Sequence, residues 1–371
     1  MKLTKILMLI VAAILLSCGG ANEDLIPPAI TTPVIIPTNP TATTLKAAAS
    51  FPVGNIVSAN KLLGNDNKFT TLLNKEFNSI TAENDMKMAS MFTGPSTYDF
   101  SKGDAIVAYA KENGIRVHGH ALVWHASIPN WLKNYAGTDA EFEAQIKGYI
   151  KATVTHFALV KNPTGKSVVE SWDVVNEAFT NEAYAAIFYK RMGIDYVAKC
   201  FSWAREANAD VKLFYNDYNL DSQGSKVADV VAMVNDFKTR SIPVPINGIG
   251  SQMHIGYLSP INTISNNLSL LVGTGLLIHF SELDIYVNRD LVLTSLTSER
   301  ANAQKEKYRE VAVLCKTIPT AQRFGITFWG VRDNDSWLRN FPVTTDYEWP
   351  LLFDSNYSYK LAYTGFFEGL Q

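Results

Sequence analysis

The chain has 371 residues, of which 47% are apolar and 18% are charged. This balance is typical of a globular protein and excludes an intrinsically disordered one, which would lack the apolar surface to build a core. The 33 basic and 35 acidic residues leave a formal charge of −2, which argues against a nucleic-acid partner because such proteins normally carry a basic excess.

The first segment has the pattern of an export signal. Lys2 and Lys5 precede the apolar run Ile6–Leu16, which is too short to span a membrane and suits the core of a signal peptide. The sequence Leu-Leu-Ser-Cys that ends at Cys18 resembles a bacterial lipoprotein processing site. We therefore predict a signal peptide over 1–17 and an exported protein anchored by a lipid on Cys18 to the outer membrane, the cell surface or a periplasmic membrane face. Plain secretion is the alternative.

A segment without periodic apolar pattern follows. Residues 18–50 are rich in Pro, Thr, Ala and Asn, which predicts an extended, semi-rigid linker. From residue 51 onward there is no second low-complexity break. We predict one folded domain over 51–371 and expect it to be monomeric.

Short apolar segments recur through this domain at intervals of about 40 residues. Several are apolar without alternation, as parallel strands covered on both faces are. The predicted strands are Val53–Ser58, Ser79–Ala82, Arg116–Leu122, Ser171–Val175, Lys212–Tyr215, Gly248–Gln252, Leu277–Leu283 and Gly325–Trp329. The predicted helices between them are Asp104–Asn113, Asp139–Phe157, Tyr189–Ala207, Ser225–Arg240 and Ser298–Thr317.

Eight strands alternating with helices predict an α/β fold, the (β/α)8 TIM barrel. An open doubly wound sheet is the alternative, although no glycine-rich phosphate loop follows the first strand to favour a nucleotide. The domain's two cysteines, Cys200 and Cys315, fall in separate predicted helices. We expect both to be buried free thiols, with a disulfide between them as the alternative.

In such a barrel the active site lies at the carboxyl ends of the strands, where the loops that follow them meet. Polar and aromatic side chains do collect at seven of the eight predicted strand ends. In strand order they are Glu83, Asn84 and Lys87; His120, Trp124 and His125; Asn176 and Glu177; Asn216, Asp217, Tyr218 and Asn219; Gln252 and His254; Glu282 and Asp284; and Trp329. Turn formation alone does not explain so regular a placement.

Several of these residues stand in motifs that resemble the family 10 glycoside hydrolases. Trp172–Ala178 resembles the acid/base signature of that family, and Ser281–Ile285 resembles its nucleophile signature. The other matching segments are Gly119–His125, Ile249–His254, Thr327–Val331, Ser336–Leu338 and Leu351–Asp354. The resemblance extends from about Gly54 to Tyr363. It implies a retaining endo-β-1,4-xylanase that acts on xylan or xylo-oligosaccharides and needs no metal or organic cofactor.

Retaining glycosidases use two carboxyl groups about 5–5.5 Å apart, one as acid and then base, the other as nucleophile. The resemblance assigns the first role to Glu177 and the second to Glu282. We expect His254 to be a hydrogen-bond partner of Glu282. Asp284 lies two residues beyond Glu282, on the same side of the strand, and is expected to orient His254. Asn176 resembles the family's amide that binds the sugar 2-hydroxyl group.

The remaining strand-end residues are expected to bind sugar. The predicted polar contacts are Glu83, Asn84, Lys87, His120, His125 and Gln252, and the predicted aromatic walls are Trp124, Trp329 and Trp337. Tyr218 and Asn219 are expected on the leaving-group side.

Three other functions stay open at this point. A β-1,4-glucanase or mixed-specificity hydrolase could use the same barrel, because the walls at Lys87, Trp329 and Trp337 would decide whether the C6 group of glucose fits. A non-catalytic glycan-binding lipoprotein and a periplasmic small-molecule receptor are the alternatives from other classes. The two intact carboxylate motifs count against both.

Overall fold

A computed structural model of the protein describes residues 42–180 and 185–371. Its centre is a closed barrel of parallel strands: β1 (Val53–Val57), β2 (Ser79–Ala82), β3 (Arg116–Gly119), β4 (Val169–Asn176), β5 (Lys212–Asp217), β6 (Gly248–Ser251), β7 (Leu277–Tyr286) and β8 (Arg323–Phe328). Each strand pairs with the next, and β8 pairs with β1. The predicted (β/α)8 barrel is confirmed, and every predicted strand is present with ends that differ by at most three residues.

Helices surround the barrel. The longer ones are α1 (Asn67–Glu76), α2 (Ser101–Glu112), α3 (Asp139–Ala158), α4 (Ala185–Met192), α5 (Tyr196–Ala207), α6 (Gly224–Thr239), α7 (Ile261–Val272), α8 (Ser298–Thr317) and α9 (Leu361–Leu370). Short helical turns cover Leu45–Ala48, Ala59–Leu63, Met88–Met91, Asn130–Lys133, Thr320–Gln322, Asp333–Asp335 and Trp337–Arg339. Short strands cover Phe92–Gly94, Thr97–Tyr98, Val123–Trp124 and His254–Gly256.

The helix predictions were wrong in two respects. The single helix predicted over Tyr189–Ala207 is divided into α4 and α5, because Gly193 takes a left-handed φ of 81° and its N–H closes the end of α4 on the Tyr189 carbonyl. Helices α1, α7 and α9 were not predicted. The first two are rich in Asn, Thr or Ser and the third contains two glycines, so all three have weak intrinsic helix propensity and form through tertiary packing.

The barrel domain begins before residue 51, where the linker was predicted to end. Leu45 is completely buried in the hydrophobic core, and its N–H donates a hydrogen bond of 2.9 Å to the buried carboxylate of Glu76. The last residues of segment 18–50 therefore belong to the folded domain. The predicted signal peptide, Cys18 and the larger part of the predicted linker lie outside the described residues.

The amino-terminal end of the barrel is filled with side chains. The rings of Phe214 and Phe324 lie 4.6 Å apart, those of His118 and His279 lie 4.9 Å apart, and the Arg116 guanidinium stacks 4.0 Å from the centre of the Phe324 ring. This end is a packed core, which leaves the carboxyl ends of the strands to form a binding cleft.

Two further features concern the helices. Cys200 on α5 and Cys315 on α8 are both buried and free, as the sequence predicts. In the part of the chain that the structure describes, no helix combines the length and apolar character needed to cross a lipid bilayer.

Close packing of α9 on α8 depends on glycine. A Cβ on Gly365 would lie 2.0 Å from the carbonyl oxygen of Lys305. We predict that Gly365→Ala lowers the free energy of unfolding by about 1–3 kcal/mol through overpacking, although alanine is the better helix former. Urea denaturation measures this change. The exposed neighbour Thr364 provides the control: Thr364→Ala should stay within about 0.5 kcal/mol, and equal effects of the two variants would contradict the packing argument.

Candidate active site

A cleft of about 950 Å³ opens at the carboxyl ends of the strands. Its lining includes the following predicted site residues: Glu83, Asn84, Lys87, His120, Trp124, His125, Asn176, Glu177, Tyr218, Asn219, Gln252, His254, Glu282, Trp329 and Trp337. Asp284 lies behind His254. Tyr286, Arg289 and Phe341 also line the cleft and were not predicted.

Glu282 lies on β7 with only 5% of its surface exposed. Its Oε1 accepts a 2.7 Å hydrogen bond from Asn216 Nδ2, and its Oε2 lies 3.3 Å from His254 Nε2. Burial raises the pKa of this carboxyl, but the hydrogen bond to His254 and the charges of His120, His254 and Lys87 outweigh burial and hold the pKa below its usual range. Glu282 is therefore ionised at neutral pH.

His254 is positioned from behind by an acid. Its Nδ1 lies 2.9 Å from Asp284 Oδ2, and the same oxygen accepts a 2.9 Å hydrogen bond from Trp337 Nε1. Burial lowers the pKa of His254, but the carboxylates of Asp284 and Glu282 raise it overall to about 10. The imidazole is therefore a cation at neutral pH, with Nδ1 beside Asp284 and Nε2 beside Glu282. The sequence predicts this arrangement of His254 between Asp284 and Glu282.

Glu177 occupies the opposite side of the site, directly after β4. Its carboxylate accepts hydrogen bonds from Trp124 Nε1 at 2.8 Å, Gln252 Nε2 at 2.8 Å and Asn176 Nδ2 at 3.1 Å. His125 Nε2 lies 3.9 Å away. These donors come from loops or strand ends of three different strands, so barrel closure assembles them.

Asn216 connects the two acids and was not among the predicted site residues. Its Nδ2 donates to Asn176 Oδ1 at 2.8 Å as well as to Glu282, while Asn176 donates to Glu177. The two carboxylates are thus joined through two side-chain amides. The sequence did place Asn216 at a predicted strand end, together with Asp217, Tyr218 and Asn219. Of these four residues, only Tyr218 and Asn219 were predicted to bind substrate.

Tyr215 holds the backbone that presents Glu177. Glu177 has a left-handed φ of 57°, which is uncommon for a residue other than glycine. The next two N–H groups, of Ala178 and Phe179, point to the Tyr215 hydroxyl at 3.0 and 3.4 Å, and this hydroxyl donates to Asp217 Oδ2 at 2.5 Å. Tyr215 and Asp217 are completely buried, so this contact forms a rigid support beneath the acid. Neither residue was assigned a role from sequence.

Lys87 and Glu83 occupy another part of the cleft. The Lys87 ammonium lies 4.6 Å from the centre of the Trp124 ring and donates to Asn84 Oδ1 at 3.1 Å. Burial lowers the pKa of Lys87, against the opposing influence of Glu282, Glu83 and Glu177. Burial also raises the pKa of Glu83. These residues form a compact polar wall that could bind hydroxyl groups.

Aromatic rings complete the cleft. Trp329 packs edge-on against the rings of His120 and His254, at 5.3 and 6.3 Å, and His120 is fixed by Asp173, whose Oδ2 lies 2.9 Å from its Nδ1. Tyr218 hydrogen-bonds to Thr180 at 3.3 Å. Indole and phenol rings beside polar side chains are suited to stacking on sugar faces while the polar groups bind hydroxyls.

Comparison with known proteins identifies relatives of this chain. Residues 42–368 match the sequence model for Glycosyl hydrolase family 10. The chain is 37% identical over 351 residues to endo-β-1,4-xylanase Xyn10C of Cellvibrio japonicus, covering 87% of this chain and 57% of the relative. It is 35% identical over 323 residues to a β-1,4-xylanase of Dictyoglomus thermophilum, covering 84% of this chain and 86% of the relative.

A solved structure agrees with these matches. A variant of xylanase 10C from Cellvibrio japonicus, in complex with xylopentaose, superimposes with a TM-score of 0.81 and 36% identity over 89% of this chain and 69% of the other. The chain spans little more than half of the length of Xyn10C, 57%, and 56% of a second curated relative, endo-1,4-β-xylanase A of Cellvibrio japonicus, to which it is 35% identical over 366 residues and 88% of its own length.

The contact between Asp284 and His254 makes a measurable prediction. Asp284→Asn removes one negative charge and keeps an oxygen for Trp337. We expect the pKa of His254 to fall from about 10 by about 1–3 pH units, because burial then opposes the imidazolium with less compensation. Nuclear magnetic resonance titration of ¹⁵N-labelled histidine measures this pKa. His156, whose Nε2 lies 2.6 Å from Asp104 on the surface, is the internal control. An unchanged pKa of His254 in Asp284→Asn would show that Asp284 does not stabilise the positive charge of His254.

Proposed function

The chain belongs to glycosyl hydrolase family 10, and on this premise we propose that it is an endo-β-1,4-xylanase. It hydrolyses internal xylosidic bonds of xylan or xylo-oligosaccharides and retains the configuration at the anomeric carbon. The observation that carries this proposal is the pair of carboxylates in one cleft, Glu177 and Glu282, joined through Asn176 and Asn216. The xylanase names of the relatives support the substrate.

In the first step Glu282 attacks the anomeric carbon while the bond to the leaving sugar breaks. The bonding electron pair passes to the leaving oxygen, which takes the proton of Glu177. The product is an ester between Glu282 and the glycone, and Glu177 is left as a carboxylate. The depressed pKa of Glu282, caused by His254 and nearby positive charge despite burial, supports its role as nucleophile.

In the second step Glu177 acts as a base. It removes a proton from water, whose oxygen attacks the anomeric carbon and displaces Glu282 as a carboxylate. Both displacements occur at the same carbon, so the configuration is retained. Asn176 donates to Glu177 and accepts from Asn216, which in turn donates to Glu282. This position between the acids supports its proposed role of binding the 2-hydroxyl group, a contact that strengthens in the transition state.

The sugar-binding roles follow from the lining of the cleft. Three indole rings, those of Trp124, Trp329 and Trp337, would stack on sugar rings. The polar side chains that would bind hydroxyl groups are Glu83, Asn84, Lys87, His120, His125 and Gln252. Tyr218 and Asn219 would contact the leaving group. Xylose lacks the C5 hydroxymethyl group of glucose, so walls that crowd this position favour xylan. Such crowding discriminates by about 1–3 kcal/mol.

We further propose that the enzyme is an exported lipoprotein. The charged start, the apolar run Ile6–Leu16 and the cysteine at position 18 support export and lipidation. A lipid on Cys18 would hold the barrel at a membrane surface through the Pro- and Thr-rich segment, and xylan would reach the cleft from the aqueous side.

Separate variants of the two acids test the catalytic roles. Glu282→Ala should lower kcat/KM roughly 10⁴-fold or more on all substrates, because no covalent intermediate forms. Glu177→Ala should lose about 10²–10⁴-fold on xylan and much less on aryl xylobiosides with activated leaving groups, which need little protonation. Added azide should then yield a β-glycosyl azide, detected by mass spectrometry and NMR.

Glu170 offers a matched control because it lies on β4, the strand that Glu177 follows, at the opposite end of the barrel. Glu170→Ala should retain normal activity and give no azide product. If Glu177→Ala cleaved xylan at the normal rate, or yielded an α-azide, the acid/base assignment would be wrong.

The anchor has its own test. Cys18→Ala should move the protein from the membrane fraction to the soluble fraction and leave kcat/KM on soluble xylan unchanged, because the cleft is built from residues 83–341. Cys200→Ala, which changes a buried free thiol, should remain with the membranes. Fractionation and labelling with a radioactive fatty acid measure both effects. Absence of label on the wild type would count against lipidation.

A further inference from the structure

Arg289 is a cation of the cleft that has no close carboxylate partner among the described residues. Arg289 follows β7 by three residues and lines the cleft beside Tyr286, Leu338 and Phe341. Within residues 42–180 and 185–371, no acidic oxygen lies within 4.0 Å of its guanidinium. Lys87, the other Lys or Arg of the lining, also has no acidic oxygen within 4.0 Å among the described residues, but its charge interacts with three carboxylates of the cleft, those of Glu282, Glu83 and Glu177.

Two acids near Arg289, its chain neighbour Asp290 and the more distant Glu348, are already engaged by other partners. Asp290 is paired with Arg300 at 2.7 Å. The buried Glu348 carboxylate accepts hydrogen bonds from the N–H groups of Val287 and Asn288, at 2.7 and 3.1 Å. Burial raises the pKa of Glu348 and the charge of Arg289 partly opposes this shift, but the described residues show no ion pair within 4.0 Å between the two side chains.

The guanidinium is nevertheless held in place. Its Nη1 donates to the carbonyl oxygens of Phe341 at 2.5 Å and Leu338 at 3.4 Å, and its Cζ lies 5.6 Å from the centre of the Tyr286 ring. Among the described residues, neither Nε nor Nη2 has a hydrogen-bond acceptor. A half-buried, oriented guanidinium with unused N–H groups is suited to bind a carboxylate.

We propose that Arg289 is a specificity-determining residue that binds the carboxylate of a uronic acid substituent on the xylan backbone. The inference rests on the proposed xylanase activity and names the class of substrate that this cleft prefers, acidic over unsubstituted xylan. Arg289 lies on the wall formed by the segments after β7 and β8, the wall that also carries Trp337. A side group on a sugar stacked against that wall would meet the guanidinium.

The test compares two oligosaccharides with the same xylose backbone, one unsubstituted and one carrying a single glucuronic acid. Arg289→Ala should lower kcat/KM on the acidic substrate about tenfold and change kcat/KM on the neutral substrate by less than about twofold. Arg289→Lys keeps the charge and loses the fork of donors, so its kcat/KM on the acidic substrate should lie between those of the wild type and Arg289→Ala. The methyl ester of the acidic substrate should show no dependence on Arg289.

Arg339→Ala is the matched control. It removes the same charge from the neighbouring segment, but its guanidinium is paired with Asp346 at 2.7 Å, so the ratio of kcat/KM for the two substrates should stay at the wild-type value. Equal losses on both substrates in Arg289→Ala would show that Arg289 only braces the 338–341 segment, and would overturn the proposal.

A binding measurement separates this inference from the proposed activity. In a Glu282→Ala background, calorimetry with the same two oligosaccharides should show tighter binding of the acidic one, and this difference should vanish when Arg289→Ala is added. If the wild type cleaved neither substrate, the xylanase proposal would fail. If the background protein bound both oligosaccharides equally, the Arg289 proposal would fail whatever the activity.

Discussion

The site depends on how two carboxyl groups that are largely shielded from solvent, those of Glu177 and Glu282, are held in one cleft. A buried carboxylate without hydrogen-bond donors is costly by several kcal/mol. Here Asn216 donates both N–H groups, one to Glu282 and one to the oxygen of Asn176, and Asn176 in turn donates to Glu177. The amides compensate the buried charge without bringing a further ion between the acids, so space remains for the sugar.

This arrangement needs room that only glycine provides. A Cβ on Gly250, which lies on β6, would meet Asn216 Oδ1 at 2.1 Å. The amide could then not sit between Asn176 and Glu282. The register between β5 and β6 places Gly250 opposite Asn216. The lack of a side chain at Gly250 is therefore required for the Asn216 amide to take its position.

The two acids are held by opposite kinds of support. Glu282 lies within strand β7, at a register shift between Phe280 and Leu283 in the pairing with β8, and is flanked by the cation of His254, whose charge Asp284 maintains. Glu177 stands on a left-handed backbone position that the buried Tyr215 hydroxyl braces through two N–H groups. Backbone strain of this kind persists where the surroundings over-determine it, and it is concentrated at functional sites. This contrast agrees with the roles proposed for the two side chains, nucleophile for Glu282 and acid/base for Glu177.

Local pattern in the sequence determined the eight strands, because continuous apolar runs of this length are buried from both sides, and it placed the polar residues at strand ends. The motif resemblance predicted that Glu177 and Glu282 share one site and that Asp284 lies against His254, and the structure brings these residues together; the catalytic roles of the two acids stay predictions. Only the tertiary structure revealed Asn216, Tyr215 and Arg289, since their roles depend on which atoms lie across the barrel or in the next loop. It also decided helices such as α7, whose sequence has weak helix propensity, and the start of the domain at Leu45. In each case the deciding contact joins residues far apart in the chain, and local periodicity carries no record of it.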